Sequence, residues 1–139
     1  SENREIQLNP PPLRVMCVED DPDIRAVLSF SLGRLGGMDV MLFDCGPAAL
    51  KGIDDLGELA PDLVVLDVMM PEMSGPETLA ALRLRPKMAH VPVVFLTAKA
   101  MPEELEALLE HGATGVIVKP FDPVELPTHL KMYWEHGRG

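Results

Sequence analysis

Five polar residues stand directly behind short apolar runs: Glu19 and Asp20 after residues 15–18, Asp67 after 63–66, Thr97 after 93–96 and Lys119 after 116–118. Gathered in one pocket, the three carboxylates would repel one another and hold protons to higher pH unless a cation intervened. A hard divalent ion is the natural remedy. Mg²⁺ takes oxygen ligands, keeps several waters and binds one or two carboxylates plus phosphate oxygens, which suits this trio better than zinc does and needs neither cysteine nor histidine. Lys119 offers a positive charge to a phosphate or carboxylate, and Thr97 a hydroxyl donor. A carboxylate nucleophile, a metal, a lysine and a hydroxyl are the parts of phosphoryl transfer to aspartate, where positioning and charge neutralisation carry the catalysis.

Such a pocket needs elements that bring distant residues together. Besides the four runs above, residues 40–43 form a fifth, and all five are short and rich in β-branched residues, as buried strands are. Between them lie segments of helical spacing, such as Ile24, Val27, Leu28, Leu32 and Leu35, or Leu105, Leu108 and Leu109. Asp21 before Pro22, Gly75 before Pro76 and Asp122 before Pro123 read as helix starts, and Asp122 with Glu125 as a capping box. Gly36 with Gly37, Pro86 and Gly112 read as stops. Pro127 is out of place inside the last helix, where it would remove a ladder bond.

Strands alternating with helices predict an α/β single-domain three-layer sandwich of flavodoxin-like type, with a five-stranded parallel sheet of order 2-1-3-4-5. In such sheets ligands bind beyond the carboxyl ends of the strands, where the order reverses, and that is where the five polar residues converge. Residues 1–12, with the run Pro10, Pro11 and Pro12, are expected to form a tail or linker, residues 13–135 the domain, and residues 136–139 a C-terminal tail.

Composition narrows the class. The 139 residues suffice for one core without disulfides, and with 4% aromatics that core must be aliphatic. Twelve basic against 22 acidic residues give a net charge of −10, which argues against nucleic-acid binding by this segment. The apolar runs fall far short of the ~20 residues of a membrane span, and Cys17 and Cys45 match no disulfide scaffold, so the expected compartment is the cytoplasm. His90, His111, His129 and His136 show no metal-ligand pairing, and Asp44 reads as a solvated cap.

Four blocks in order, Val18-Glu19-Asp20-Asp21-Pro22, Leu66-Asp67-Val68-Met69-Met70-Pro71 with Ser74-Gly75, Leu96-Thr97-Ala98 and Val118-Lys119-Pro120-Phe121, resemble the signature of response-regulator receiver domains of two-component signalling. The resemblance spans residues 13–134. It implies that Asp67 is the phosphoacceptor, that Asp20, Asp67 and the Met69 carbonyl ligate Mg²⁺, and that Glu19 acts through metal-bound water. It further implies that Thr97 and Lys119 contact the phosphoryl oxygens and that the Lys119–Pro120 peptide is cis. The implied partners are a histidine kinase or phosphotransfer protein, and an output domain or downstream protein meeting the face of the fourth helix, fifth strand and fifth helix, with a homodimer as one arrangement. No enzyme activity beyond its own phosphorylation and dephosphorylation is implied. One departure stands out: Val116 occupies the position, three before the lysine, where the family usually has an aromatic residue coupled to the threonine.

Three other functions compete. An aspartate-nucleophile phosphohydrolase would carry a second Asp two residues after the nucleophile, where this chain has Met69. A flavin- or nucleotide-binding module needs a Gly- or Ser/Thr-rich phosphate loop after the first strand, where this chain has Glu19, Asp20 and Asp21. A constitutive interaction module on the same fold would have lost its acids, Thr97 or Lys119, and all are present.

Overall fold

The computed structural model describes residues 10–138; most of the tail expected at residues 1–12, and Gly139, lie outside the described residues. Five strands form the sheet: β1 (Arg14–Val18), β2 (Asp39–Phe43), β3 (Leu63–Asp67), β4 (Val93–Thr97) and β5 (Gly115–Val118). All pairings are parallel and the order is β2-β1-β3-β4-β5, as expected. The helices are α1 (Pro22–Leu28, continuing as a π-helix over Ser29–Leu35), α2 (Gly46–Asp55), α3 (Gly75–Arg83), α4 (Pro102–Glu110) and α5 (Leu126–Arg138).

Strand alternation sorts the core into two layers. Val15, Cys17, Leu63, Val65, Val94, Leu96 and Ile117 point to one face, where Leu28 and Leu32 of α1 and Leu126 and Leu130 of α5 meet them. Met16, Val18, Val64, Leu66, Val93 and Phe95 point to the other, against Ala49, Ile53, Leu79, Leu82 and Leu108 of α2, α3 and α4. Every residue of β3 and β4 is buried, which explains their unbroken apolar runs: with both faces covered, no position is left for alternation. Each such Leu or Val contributes about 1.5–3 kcal/mol by leaving water.

The helix ends refine the sequence reading. Asp21 caps α1, its side chain accepting from the Asp23 N–H. The cap of α3 is Ser74, not Gly75: its hydroxyl accepts from the Glu77 N–H and the Glu77 carboxylate accepts from the Ser74 N–H. No such box forms at Asp122, whose carboxylate instead accepts from Val124 N–H in a turn. The helix therefore starts at Leu126, and Pro127 falls in its first turn, where no ladder bond is lost. Nothing stops α5 before Arg138, three residues beyond the boundary expected at 135.

The widened coil of α1 was not legible in the sequence. Its hydrogen bonds skip one residue further back, as in Gly36 N–H to Ser31 O at 2.9 Å. Ser31 is thereby fully buried, and its hydroxyl donates to the Pro123 carbonyl in the loop before α5. Gly37, with φ +67°, then turns the chain toward β2.

Candidate functional site

At the carboxyl edge of the sheet, residues just past the strands stay bonded to their neighbours. Glu19 N–H donates to Phe43 O at 3.0 Å, Val68 N–H to Leu96 O at 3.0 Å and Lys119 N–H to Thr97 O at 2.7 Å. These bonds extend the ladder past the last paired residues, so Glu19, Asp67, Thr97 and Lys119 leave a rigid edge rather than free loops. Glu19, Asp20, Asp67, Met69, Thr97 and Lys119 all line one cleft of ≈ 220 Å³.

One carboxylate oxygen from each of Glu19, Asp20 and Asp67 lies within 4.8 Å of the others. Lys119 answers this charge from the edge strand. About two strand spacings of ~4.8 Å separate β5 from β3, and the long lysine stem closes the gap: Nζ lies 2.9 Å from Asp67 Oδ1 and 2.9 Å from Glu19 Oε1. It donates a hydrogen bond to Asp67. Glu19 Oε1 is neutralised by proximity alone, being a buried oxygen without an aligned hydrogen bond. Glu19 Oε2 accepts from the Asp21 N–H at 3.1 Å, which folds the carboxylate back against its own loop.

The electrostatics follow from the burial. Asp67 is 4% exposed, and its carboxyl is pushed up to about 6, first by burial and further by the Glu19 charge, against the opposing pull of Lys119. Burial pulls Lys119 down, but its hydrogen bond to Asp67 and its close pairing with the Glu19 and Asp67 carboxylates outweigh that and raise it. Cys17, beneath the site on β1, is pushed up to about 12 by burial and the nearby Glu19 charge, so it is an inert thiol.

Three carboxylates facing one lysine, with a buried carboxylate oxygen lacking a donor, form a site still short of positive charge. An all-oxygen donor set of this kind suits a hard divalent cation. Thr97 is brought to the cleft, but its Oγ1 accepts from the Lys99 N–H at 3.0 Å. Met69 also reaches the rim, with its side chain 65% exposed. The Lys119–Pro120 peptide is cis. Val116, half-buried on β5, borders a separate groove of ≈ 410 Å³ with Phe121, His129 and Tyr133.

Two contributors escaped the sequence reading. Arg25 donates through Nη1 to the Glu19 and Asp20 carbonyls at 2.8 and 3.0 Å. Gly75 lets the start of α3 close over the end of β3: a Cβ there would sit 2.5 Å from Asp67 O and 2.9 Å from Val68 Cα. A glycine next to Pro76 signals a helix start on its own; only the tertiary contact with Asp67 shows why no larger residue fits.

The family model described as the response regulator receiver domain matches residues 15–131. Over 118 residues the chain is 37% identical to the DNA-binding response regulator MtrA of Mycolicibacterium smegmatis, aligning 85% of this chain with 49% of that protein. It therefore spans about half of MtrA's length. Among solved structures it resembles the chemotaxis protein CheY4 of Vibrio cholerae, with TM-score 0.80 and 31% identity over 88% of this chain and 98% of that one. It also resembles the receiver domain of the sensor histidine kinase PA1611 of Pseudomonas aeruginosa, described with a magnesium ion in its active-site cleft, with TM-score 0.78 and 26% identity over 89% and 98%.

Proposed function

The chain belongs to the response regulator receiver domain family, and from that premise we propose that Asp67 accepts a phosphoryl group from a phosphohistidine donor with Mg²⁺ bound among Asp20, Asp67, the Met69 carbonyl and, through water, Glu19. The observation that carries this reading is the Asp67 carboxylate at the end of β3, 2.9 Å from Lys119 Nζ and clustered with Glu19 and Asp20.

Asp67 forms the new P–O bond as the P–N bond of the donor breaks and the donor imidazole leaves. Lys119, already hydrogen-bonded to Asp67, moves its ammonium onto a phosphoryl oxygen as that oxygen arrives. Thr97 turns its hydroxyl from the Lys99 backbone to a second phosphoryl oxygen. A divalent ion held by these carboxylates would supply charge neutralisation to the phosphoryl oxygens. The phosphohydrolase alternative is disfavoured, because Met69 offers no acid or base where such an enzyme would need one.

The response-regulator relatives support a histidine kinase or phosphotransfer protein as donor. We assign the signal's exit to the face of α4, β5 and α5, toward an output domain, a separate protein or a second copy of this chain. DNA binding is in MtrA's name; here a net charge of −10 opposes direct contact with DNA. Among the described residues no helix is long and apolar enough to cross a membrane, and Cys17 and Cys45 are free, which supports a reducing, cytoplasmic setting.

Incubation with a small acyl phosphate and Mg²⁺, followed by intact-mass analysis, tests the assignment. One labile phosphoryl adduct is expected in wild type and none in Asp67→Asn. An adduct of equal yield in Asp67→Asn would move the acceptor elsewhere.

A further inference from the structure

The segment joining β1 to α1 contributes two of the three clustered carboxylates, yet residues 19–21 have no regular secondary structure. Most of its ties are local. Glu19 N–H reaches Phe43 O, Asp21 N–H reaches Glu19 Oε2, and Asp23 N–H reaches Asp21 Oδ1. The Asp21 bond fixes the Asp20–Asp21 peptide at its N–H side only, and nothing in this set holds the Asp20 carbonyl. That task falls to Arg25, half-buried near the start of α1, whose single Nη1 donates to both the Glu19 and the Asp20 carbonyls. Among the described residues it is the only hydrogen-bond donor that reaches the Asp20 main chain.

We propose that Arg25 is a positioning residue for the divalent cation: by pinning the Glu19 and Asp20 carbonyls outward, it holds the Asp20 carboxylate where the ion needs it. This rests on the site assignment made above. Two consequences of losing Arg25 oppose each other, which makes the idea decidable. Removing a positive charge near three carboxylates favours cation binding, weakly, because the cleft is open to screening water. Removing the two hydrogen bonds frees the ligand-bearing loop, and outer-sphere partners of this kind are worth about 10–100-fold in metal affinity. Positioning therefore outweighs charge, and affinity falls.

The test uses the full chain with Arg25→Met, which keeps the stem's length and apolar packing but no donor, and Arg25→Lys, which keeps the charge on a shorter reach. Mg²⁺ is titrated while the amide signals of Asp20, Asp67 and Met69 are followed by NMR, and thermal stability is recorded separately in EDTA. Arg25→Met is expected to raise the Mg²⁺ Kd about tenfold, and Arg25→Lys by a smaller factor, about threefold. An unchanged or tightened Kd in Arg25→Met, with only a lowered melting temperature, overturns the proposal and leaves Arg25 a structural residue. If Arg25→Met does not fold, Arg25→Lys decides: a wild-type Kd there overturns it equally. Absence of Mg²⁺ binding by wild type overturns the site assignment itself and this inference with it, whereas wild-type binding that the variants retain overturns Arg25's role alone.

Discussion

Lys119 Nζ sits 2.9 Å from Asp67 Oδ1, so the proposed phosphoacceptor is paired with the cation proposed to hold the phosphoryl oxygens. The same ammonium is 2.9 Å from Glu19, and among the described residues no second cation forms an ion pair with the three carboxylates. Lysine thus acts as the counter-ion of the resting site.

Replacing it should expose that dependence. Lys119→Met leaves Glu19 and Asp67 buried without a partner, and a loss of about 1–3 kcal/mol in unfolding free energy is expected at pH 7, below the full cost of breaking a deep pair because the cleft is partly wet. Saturating Mg²⁺ should restore more stability to this variant than it adds to wild type. Denaturant titrations with and without Mg²⁺ make the comparison; equal Mg²⁺ gains in both proteins would separate lysine from the ion site.

Asp67 makes stability depend on pH in a stated direction. Its folded-state pKa is raised to about 6, mainly by burial, so the folded chain holds this proton to higher pH than the unfolded chain does. Asp67 therefore supports the fold below about pH 4, and that support is lost as pH rises through about 6. Without metal, Asp67→Asn should be more stable than wild type by about 1 kcal/mol at pH 7, the value being reduced for partial solvation, and the difference should vanish near pH 4. A gap that widens toward acid would contradict the assigned direction.

Cation binding should share this titration. At ten times its Kd, Mg²⁺ should add about 1.4 kcal/mol to stability at pH 7.5, and clearly less at pH 5, where Asp67 carries a proton. Thermal melts across that pH range at fixed Mg²⁺ provide the check. A shift that does not change with pH would place the ion away from Asp67.

Gly75→Ala should be costly although alanine suits a helix. The added Cβ would press on Asp67 O at 2.5 Å and Val68 Cα at 2.9 Å, both of them main-chain atoms that cannot swing aside. A loss of about 1–3 kcal/mol is expected, together with slower phosphorylation from an acyl phosphate, because relief of the clash displaces the nucleophile. Wild-type stability and rate in this variant would mean that α3 is free to shift.

Val116→Tyr probes the signalling side. The groove of ≈ 410 Å³ that Val116 shares with Phe121, His129 and Tyr133 has room for a ring. A beryllofluoride mimic of the phosphoryl group should give a graded set of backbone shifts in wild type and a more complete two-state conversion in Val116→Tyr, since full switching needs roughly 5.5 kcal/mol of bias and a buried ring adds to it. If wild type already converts fully and the tyrosine adds nothing, the aromatic is irrelevant to the switch.

The sheet and the acid site were legible early because both are written in short-range signals. Runs such as residues 63–66 and 93–96 are apolar throughout since both faces of β3 and β4 are covered, and each ends at its polar residue with no gap. Right-handed crossovers then leave few topologies, and parallel strands align their carboxyl ends, so Glu19, Asp20, Asp67, Thr97 and Lys119 had to meet at one edge. What they do on meeting was decided by tertiary structure. Whether Lys119 pairs with Asp67 or with solvent, whether Glu19 faces the site or its own loop, and which oxygens Arg25 takes all depend on rotamers chosen by packing between segments distant in sequence. The π-helical stretch of α1 belongs to the same class: its spacing of apolar residues reads as an ordinary helix, whereas its backbone bonds reach one residue further back and its buried Ser31 hydroxyl meets Pro123, in a loop almost at the other end of the chain. Strand ends are dictated by local polarity and backbone pairing, whereas side-chain hydrogen bonds across the fold exist only once both partners have been brought within 3 Å.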